Sequence, residues 1–333
     1  MSAKIRWGVL GVAKIAVEKV IPAMQQGEFA EVAAIASRDA ARAASAAESL
    51  GIAKSYGSYE ELLADPDIDA VYNPLPNHLH VSWSVKAAEA GKHVLCEKPI
   101  ALSSADALEL IAARDRTGVR IQEAFMVRTH PQWLAVRDRV RDGSVGQLLG
   151  AQFISSYFNR DPENIRNQAD IGGGAIMDIG CYPITTSRFV FGEEPTRVLG
   201  LVQRDPDMGI DRLDSAILDY PSGQASFMCS TQMVPYQRAH FFGSEGRLEV
   251  EIPYNAPPDR PCRVFHSRGD LFGEDIETLE FDTCDQYTIQ GDDFSRAILE
   301  DREVTTPLED AVANMKVIEA LFRSGESGSW ETP

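Results

Sequence analysis

The sequence predicts an α/β protein, a doubly wound parallel sheet followed by an α+β domain whose sheet is mostly antiparallel. Three observations carry this reading. Over residues 1–127, short and nearly continuous apolar runs alternate with helical patterns, as parallel strands covered on both faces require. The first run ends in a glycine-bearing turn that opens a helix. Over 128–333 the alternation gives way to strand-like runs separated by turn signals. A chain of 333 residues also favours two domains over one extended core.

Element by element, strands are expected at Ile5–Leu10, Glu31–Ser37, Ala70–Asn73, His93–Cys96 and Val119–Ala124. Helices are expected at Ala13–Gln26, Ala40–Leu50, Tyr59–Ala64, His80–Ala90 and Ser104–Thr117. Asp39 can cap the second helix and Ser103 or Ser104 the last, and Pro22 marks a kink or the start of a new helical turn. Further on, a helix at Gln132–Asp142 leads through Asp142-Gly143 into strands at Leu149–Tyr157, Thr196–Gln203, Ser215–Tyr220, Gln224–Thr231 and Arg247–Ile252. Pro-Ser-Gly at 221–223 and Ser-Glu-Gly at 244–246 predict hairpins, and Leu308–Phe322 returns to a helical pattern.

The 32 Lys and Arg face 50 Asp and Glu, a formal net charge of −18. That charge repels nucleic-acid phosphates and anionic membrane surfaces, so neither is expected as a partner. Five scattered cysteines without a Cys-x-x-Cys pair fit a reducing cytoplasm and argue against a disulfide framework or zinc site. The start, Met1-Ser2-Ala3-Lys4, runs straight into a strand pattern without the regions of a secretory leader. No apolar run reaches the roughly 20 residues that span a bilayer. A cytoplasmic protein is expected.

The first strand leads into Gly11-Val12-Ala13-Lys14-Ile15-Ala16. Aligned on G-x-G-x-x-G/A, the key positions are Gly11, Ala13 and Ala16: a tight turn, close approach of backbone to a pyrophosphate, and close packing of helix on strand. The helix N-terminus would face the phosphates with its N–H groups. At the end of the second strand an NAD-specific site usually carries an acidic residue for the ribose hydroxyls. Here stand Ser37 and Arg38, a hydroxyl and a guanidinium, which suit a 2′-phosphate. NADP is therefore expected, with NAD as a second option.

Ligands of open α/β sheets bind beyond the carboxyl ends of the strands, where Asn77, Glu97 and Lys98 lie. Asp178 and Tyr182, four apart, would share a helix face after the chain-crowding Gly172–Gly174 run. His78-x-His80 alone is too sparse for a metal site, and no metal is expected.

Three segments resemble the Gfo/Idh/MocA oxidoreductase family: Tyr72-Asn73-Pro74-Leu75-Pro76-Asn77-His78-Leu79-His80, Cys96-Glu97-Lys98-Pro99, and Gly172-Gly173-Gly174-Ala175-Ile176-Met177-Asp178-Ile179-Gly180-Cys181-Tyr182-Pro183. The resemblance implies a Rossmann domain holding cofactor through the glycine loop, Ser37, Arg38, Leu75, Pro76, Asn77, His80, Glu97 and Lys98. It implies a C-terminal domain with an open-faced sheet, through which members associate, so a homodimer or homotetramer is expected. Tyrosine rather than histidine at 182 resembles the branch of glucose–fructose oxidoreductase, dimeric dihydrodiol dehydrogenase and NADP-linked xylose dehydrogenase. Asn164-Ile165-Arg166 and Met126-Val127-Arg128-Thr129-His130-Pro131 resemble stretches beside the family's sugar pocket, making Arg128 and Arg166 substrate candidates.

The implied chemistry is hydride transfer between a nicotinamide and a sugar or polyol carbon. A free tyrosine has a pKa of about 10, and a neighbouring ammonium would favour its phenolate. Tyr182 is thus assigned as proton donor and acceptor, Lys98 as its electrostatic partner and a substrate donor, and Asp178 as a substrate-orienting acceptor. An aldose 1-dehydrogenase of the xylose or glucose type is the leading expectation. A trans-dihydrodiol dehydrogenase, or a non-catalytic NAD(P)- or sugar-sensing regulator of the same fold, are the alternatives.

Overall fold

The computed structural model describes residues 4–333, so the reading of Met1-Ser2-Ala3 falls outside the described residues. The chain forms two compact units, one of residues up to Thr129 with Asp285–Val312, the other of His130–Cys284 with Ala313–Pro333. The expected division at 127/128 thus gains a return segment, 285–312, that packs with the first unit.

The first unit is built on six parallel strands: β1 (Ile5–Leu10), β2 (Ala30–Ala36), β3 (Lys54–Tyr56), β4 (Ala70–Asn73), β5 (His93–Cys96) and β6 (Ile121–Glu123). Their order is β3-β2-β1-β4-β5-β6, all parallel, and the chain's progression across the sheet switches sides between β1 and β4. Alternate side chains feed two cores: Trp7 and Val9 join Ile35, Tyr72 and Leu95, whereas Leu10 joins Val71, Val94 and Leu110. Asp39 caps the helix Ala40–Leu50 by accepting from the N–H groups of Ala41 and Arg42, and Ser103 caps Ser104–Thr117 through Asp106 N–H. The expected helix Ala13–Gln26 is helical from Lys14 to Met24, widened to a π turn at Ala16–Val20 just ahead of Pro22.

The return segment explains the larger first unit. Helix Gln286–Leu299 sets Phe294 against Trp7, ring centroids 5.6 Å apart, and Ser295 Oγ accepts from Trp7 Nε1 at 3.0 Å. Arg120 then donates to the Arg302 carbonyl at 2.7 Å.

The second unit is an eight-stranded sheet of β7 (Leu148–Phe158), β8 (Arg197–Arg204), β9 (Asp211–Asp219), β10 (Gln224–Ser230), β11 (Gln232–Gly243), β12 (Arg247–Val250), β13 (Cys262–Ser267) and β14 (Glu277–Phe281). Its order is β14-β13-β12-β11-β7-β10-β9-β8, antiparallel throughout except for β7 with β10. Turns close at Tyr220–Gly223 and Gly243–Gly246, where hairpins are expected. Helices Pro131–Arg141 and Cys181–Phe191 belong to this unit. Along β9, Ala216 and Leu218 are buried while Ser215 and Ile217 are exposed. The exposed side is an apolar groove of about 740 Å³, with Ile154, Leu201, Ile217, Met228 and Tyr236 in its lining. No disulfide joins the five cysteines among the described residues. Among the described residues no helix is long and apolar enough to cross a membrane.

Candidate active site

In the first unit the glycine loop follows β1 directly. Gly11 has φ +96° and donates to the Ala36 carbonyl at 2.8 Å. A Cβ there would meet Leu75 Cδ2 at 3.0 Å, so both the conformation and the space call for glycine. Val12 and Ala13 form the crest and Lys14 and Ile15 begin the helix, with the Lys14 ammonium exposed to solvent beside Glu18. Ala16 is fully buried, which lets the helix lie close on β1. A bare backbone turn at a helix start fits a pyrophosphate, and that is the cradle a dinucleotide needs.

The end of β2 adds to it. Ser37 is buried, its hydroxyl accepting from Asp39 N–H at 3.1 Å, while Arg38 extends into solvent. Arg42, in the first turn of the helix that Asp39 caps, donates from Nη2 to the Val12 carbonyl at 2.9 Å. Sequence reasoning passed over Arg42; its signal was the Asp39 cap, which turns the third helical residue toward the glycine loop.

Between β4 and the next helix, Asn73 is fully buried and donates to the His80 carbonyl and to Ser84 Oγ, which fixes the course of Leu75, Pro76 and Asn77. His80 is also buried, its ring nitrogens 2.8 Å from the Pro99 carbonyl and 2.6 Å from that of Leu75. Burial pushes this imidazole down to about 4, against the two carbonyls, which favour its charged form, and the ring ties the Leu75 loop to the turn after β5. It braces the Leu75–Asn77 loop from within.

That turn carries Glu97 and Lys98. Glu97 Oε1 accepts from Tyr72 at 2.7 Å, and Oε2 from Lys98 N–H at 3.3 Å. Burial, with the Glu97 carboxylate beside it, raises the Tyr72 phenol well above its usual value, so it stays a donor. Ile100 N–H donates to Glu123 Oε1 at 2.7 Å, so a buried acid at the end of β6 holds the far side of the Lys98-Pro99 turn. Lys98 itself is half-buried. Arg128 is nearly buried within this unit, paired with Asp310 at 3.1 Å, so its guanidinium serves an internal ion pair there.

In the second unit, Asp178 lies in a π turn, Ile176–Gly180, that runs into the helix bearing Tyr182. Both of its oxygens are engaged: Oδ1 accepts from Arg166 Nε at 3.0 Å and Oδ2 from Tyr157 at 2.6 Å. Asp178 keeps the Arg166 guanidinium firmly charged. Tyr182 is largely buried and stacks on Tyr254, centroids 5.0 Å apart. The glycine run has a physical cause: Gly173 and Gly174 donate to the carbonyls of Gln168 and Arg166, and a Cβ at Gly173 would lie 2.6 Å from the Arg166 carbonyl. The run thereby docks the Arg166 turn against the Asp178 turn. Tyr157, the second holder of Asp178, carried no motif and was not legible in the sequence.

Residues 5–125 match the family described as "Oxidoreductase family, NAD-binding Rossmann fold", and residues 133–249 match the "GFO/IDH/MocA C-terminal domain". The chain belongs to the Gfo/Idh/MocA oxidoreductase family. It is similar to an uncharacterized oxidoreductase of Rhizobium meliloti, 49% identical with 98% of this chain and 99% of that protein covered. It is also similar to D-xylose 1-dehydrogenase (NADP(+)) 2 of Haloferax volcanii, 37% identical over 97% of this chain and 98% of the relative. Among solved structures it resembles a 3-ketoreductase from Actinomadura kijaniata in complex with NADP and TDP-benzene, with a TM-score of 0.89, 31% identity and coverage of 96% and 98%. That reductase has also been solved with one tyrosine or one lysine replaced. As a Gfo/Idh/MocA protein this chain is an NAD(P)-dependent oxidoreductase.

Proposed function

We propose that the protein uses NADP to move a hydride to or from a sugar or polyol carbon, most concretely C1 of an aldose such as xylose or glucose. The observation that carries the chemistry is Tyr182, a sheltered phenol on the helix that continues the Asp178 turn. In the Actinomadura reductase the lysine and the tyrosine chosen for replacement lie the same number of residues apart as Lys98 and Tyr182. The similarity to a xylose dehydrogenase supports the aldose, and Ser37 with Arg38 supports the 2′-phosphate.

The cofactor would be held by the backbone of Gly11, Val12, Ala13, Lys14 and Ile15, by Ser37 and Arg38, and by the loop of Leu75, Pro76, Asn77 and His80, with Glu97 and Lys98 at its reacting end. Bound there, the nicotinamide supplies the hydride acceptor or donor. Tyr182 Oη takes the proton of the reacting hydroxyl in oxidation and returns it in reduction. Lys98 Nζ offers positive charge to the same oxygen and favours the phenolate. Asp178, with Arg166 fixed to it, presents a polar edge to the neighbouring hydroxyls. Arg128, paired with Asp310 through Nη1, is a second substrate-binding candidate beside Arg166.

The similarity to a 3-ketoreductase favours a second reading in which the same groups reduce a sugar carbonyl. The apolar open face of the second unit's sheet supports self-association as a dimer or tetramer. An absorbance screen at the reduced-nicotinamide band, over aldoses, ketosugars and dihydrodiols with NAD and NADP, tests these readings together. NADP reduction with xylose or glucose is expected. Turnover of dihydrodiols alone would move the assignment to a diol dehydrogenase, and no turnover at all would favour a sensor.

A further inference from the structure

Beneath the Asp178 turn lie two carboxyls that the proposed reaction does not use. Asp211 and Asp214 are 2% and 1% exposed. Three residues apart, they would face opposite sides of a regular strand, but the pairing of β9 with β8 slips between Gln203 and Arg204, and both turn inward. Asp211 Oδ2 accepts from the N–H of Ile176 at 2.6 Å, the first residue of the π turn. Its Oδ1 occupies the place a side chain at Gly174 would need. Asp214 Oδ1 is buried without a donor among the described residues, Oδ2 lies 4.0 Å from the Cys229 thiol, and the carboxyl also meets the Asp211 carboxyl and the Gln203 backbone. Two acceptors with so few donors need a proton of their own.

We propose that Asp211 and Asp214 form a proton-sharing pair that positions the Gly174–Tyr182 segment, an inference that rests on the proposed role of Tyr182. The proton lets two buried carboxyls stand side by side. Asp211 then anchors the start of the turn from which Asp178 and Tyr182 are directed. Burial and the adjacent Asp211 push Asp214 up to about 9, and burial raises Asp211 as well, so the pair keeps a proton at neutral pH. The groups around it are Arg204 on β8 and Cys229 on β10, and Cys229 in turn faces Asp178 and Cys181 on the turn and helix. Arg204 is the single cation of that set and is exposed, so losing the proton leaves two charges in a poorly compensated interior. Repulsion then pulls Asp211 from Ile176.

The test is hydrogen exchange over residues 172–182, read by mass spectrometry on the full chain, beside steady-state turnover with NADP and an aldose. Asp211→Ala should speed exchange of that segment about tenfold or more. It should lower kcat and leave the KM for NADP unchanged, because the cofactor loop lies in the other unit. Asp211→Asn keeps a carbonyl acceptor for Ile176 and should recover most of both. Asp214→Asn brings its own N–H donors and should keep the segment protected above pH 9, where the parent loses protection. Should the alanine variant not fold, the two asparagine variants decide. Wild-type exchange in Asp211→Ala, no recovery in Asp211→Asn, or identical alkaline behaviour in Asp214→Asn would each overturn the proposal. Absence of turnover in the parent with every sugar would instead defeat the functional reading, and the exchange result would stand by itself.

Discussion

A Cβ at Gly174 would lie 1.9 Å from Oδ1 of Asp211, far closer than non-bonded heavy atoms can stand. The carboxyl is held in place by Ile176 N–H, and Gly174 itself has φ +119°, so neither side can yield cheaply. Gly174→Ala should therefore destabilise the protein by about 3 kcal/mol or more. Gly192, also at positive φ (+70°) but with nothing within 4 Å, is the control. Its alanine variant should lose only roughly 1 kcal/mol. Urea denaturation of the two variants measures the difference, and equal losses would mean that Asp211 moves aside freely.

Tyr182→Phe removes one oxygen and keeps the stack on Tyr254. Turnover should fall by about 10²–10⁴-fold with little change in cofactor affinity. Lys98→Met should act in the same direction. Near-normal turnover in either would remove that residue from the proton-transfer assignment.

Arg38 and Arg42 should separate by cofactor. Arg38 is exposed at the end of β2, so Arg38→Ala should raise the KM for NADP roughly 10–100-fold and leave that for NAD nearly unchanged. Arg42 also ties the Val12 carbonyl, so Arg42→Ala should weaken both nucleotides. Titrations of the two variants with each nucleotide distinguish a 2′-phosphate contact from a loop support.

Asp214 gives stability a pH dependence of known sign. Its folded value of about 9 lies above the ordinary carboxyl value of 3.8, so across that window the folded chain holds a proton that the unfolded chain releases. Stability contributed by the acid is complete below the unfolded value and is lost as pH rises toward the folded one, at up to roughly 1.4 kcal/mol per pH unit. Asp214→Asn should flatten this slope, gaining on the parent as pH rises toward 9. Melting temperatures from pH 5 to 9 check it, and parallel profiles would show the proton to be absent.

Leu201 and Val234 are 74% and 75% exposed on the second unit's sheet. If that face joins copies of the chain, Leu201→Glu should lower the molar mass seen by light scattering to that of one chain, 36.6 kDa. An unchanged mass would place the contact elsewhere, or show that there is none.

Period and punctuation made most of the first unit legible. Ile5–Leu10, Ala70–Asn73 and His93–Cys96 are strands at the expected bounds because each is an apolar run buried on both faces. Lys54–Tyr56 escaped notice because three partly exposed residues show no period. Residues 232–243 were hidden by Pro235, which the sheet tolerates where pairing with β7 slips between Gln232 and Tyr236. Helix Gln286–Leu299 was masked by Gly291, whose bare Cα accommodates Met24. At the site, motifs named the residues of the turns, but their holders could not be read. Tyr157, Glu123 and Asp211 act from strands far along the chain, and nothing local to them signals that partnership.

The indole of Trp7 finds its hydrogen-bond partner 288 residues later, at Ser295. On a ribosome, the strand that carries Trp7 is therefore made long before the core around it is completed. Every intervening segment must emerge, with its own sheet to assemble, before that partner arrives. A chain cut short anywhere before residue 295 lacks the lid of its first core, however intact its glycine loop.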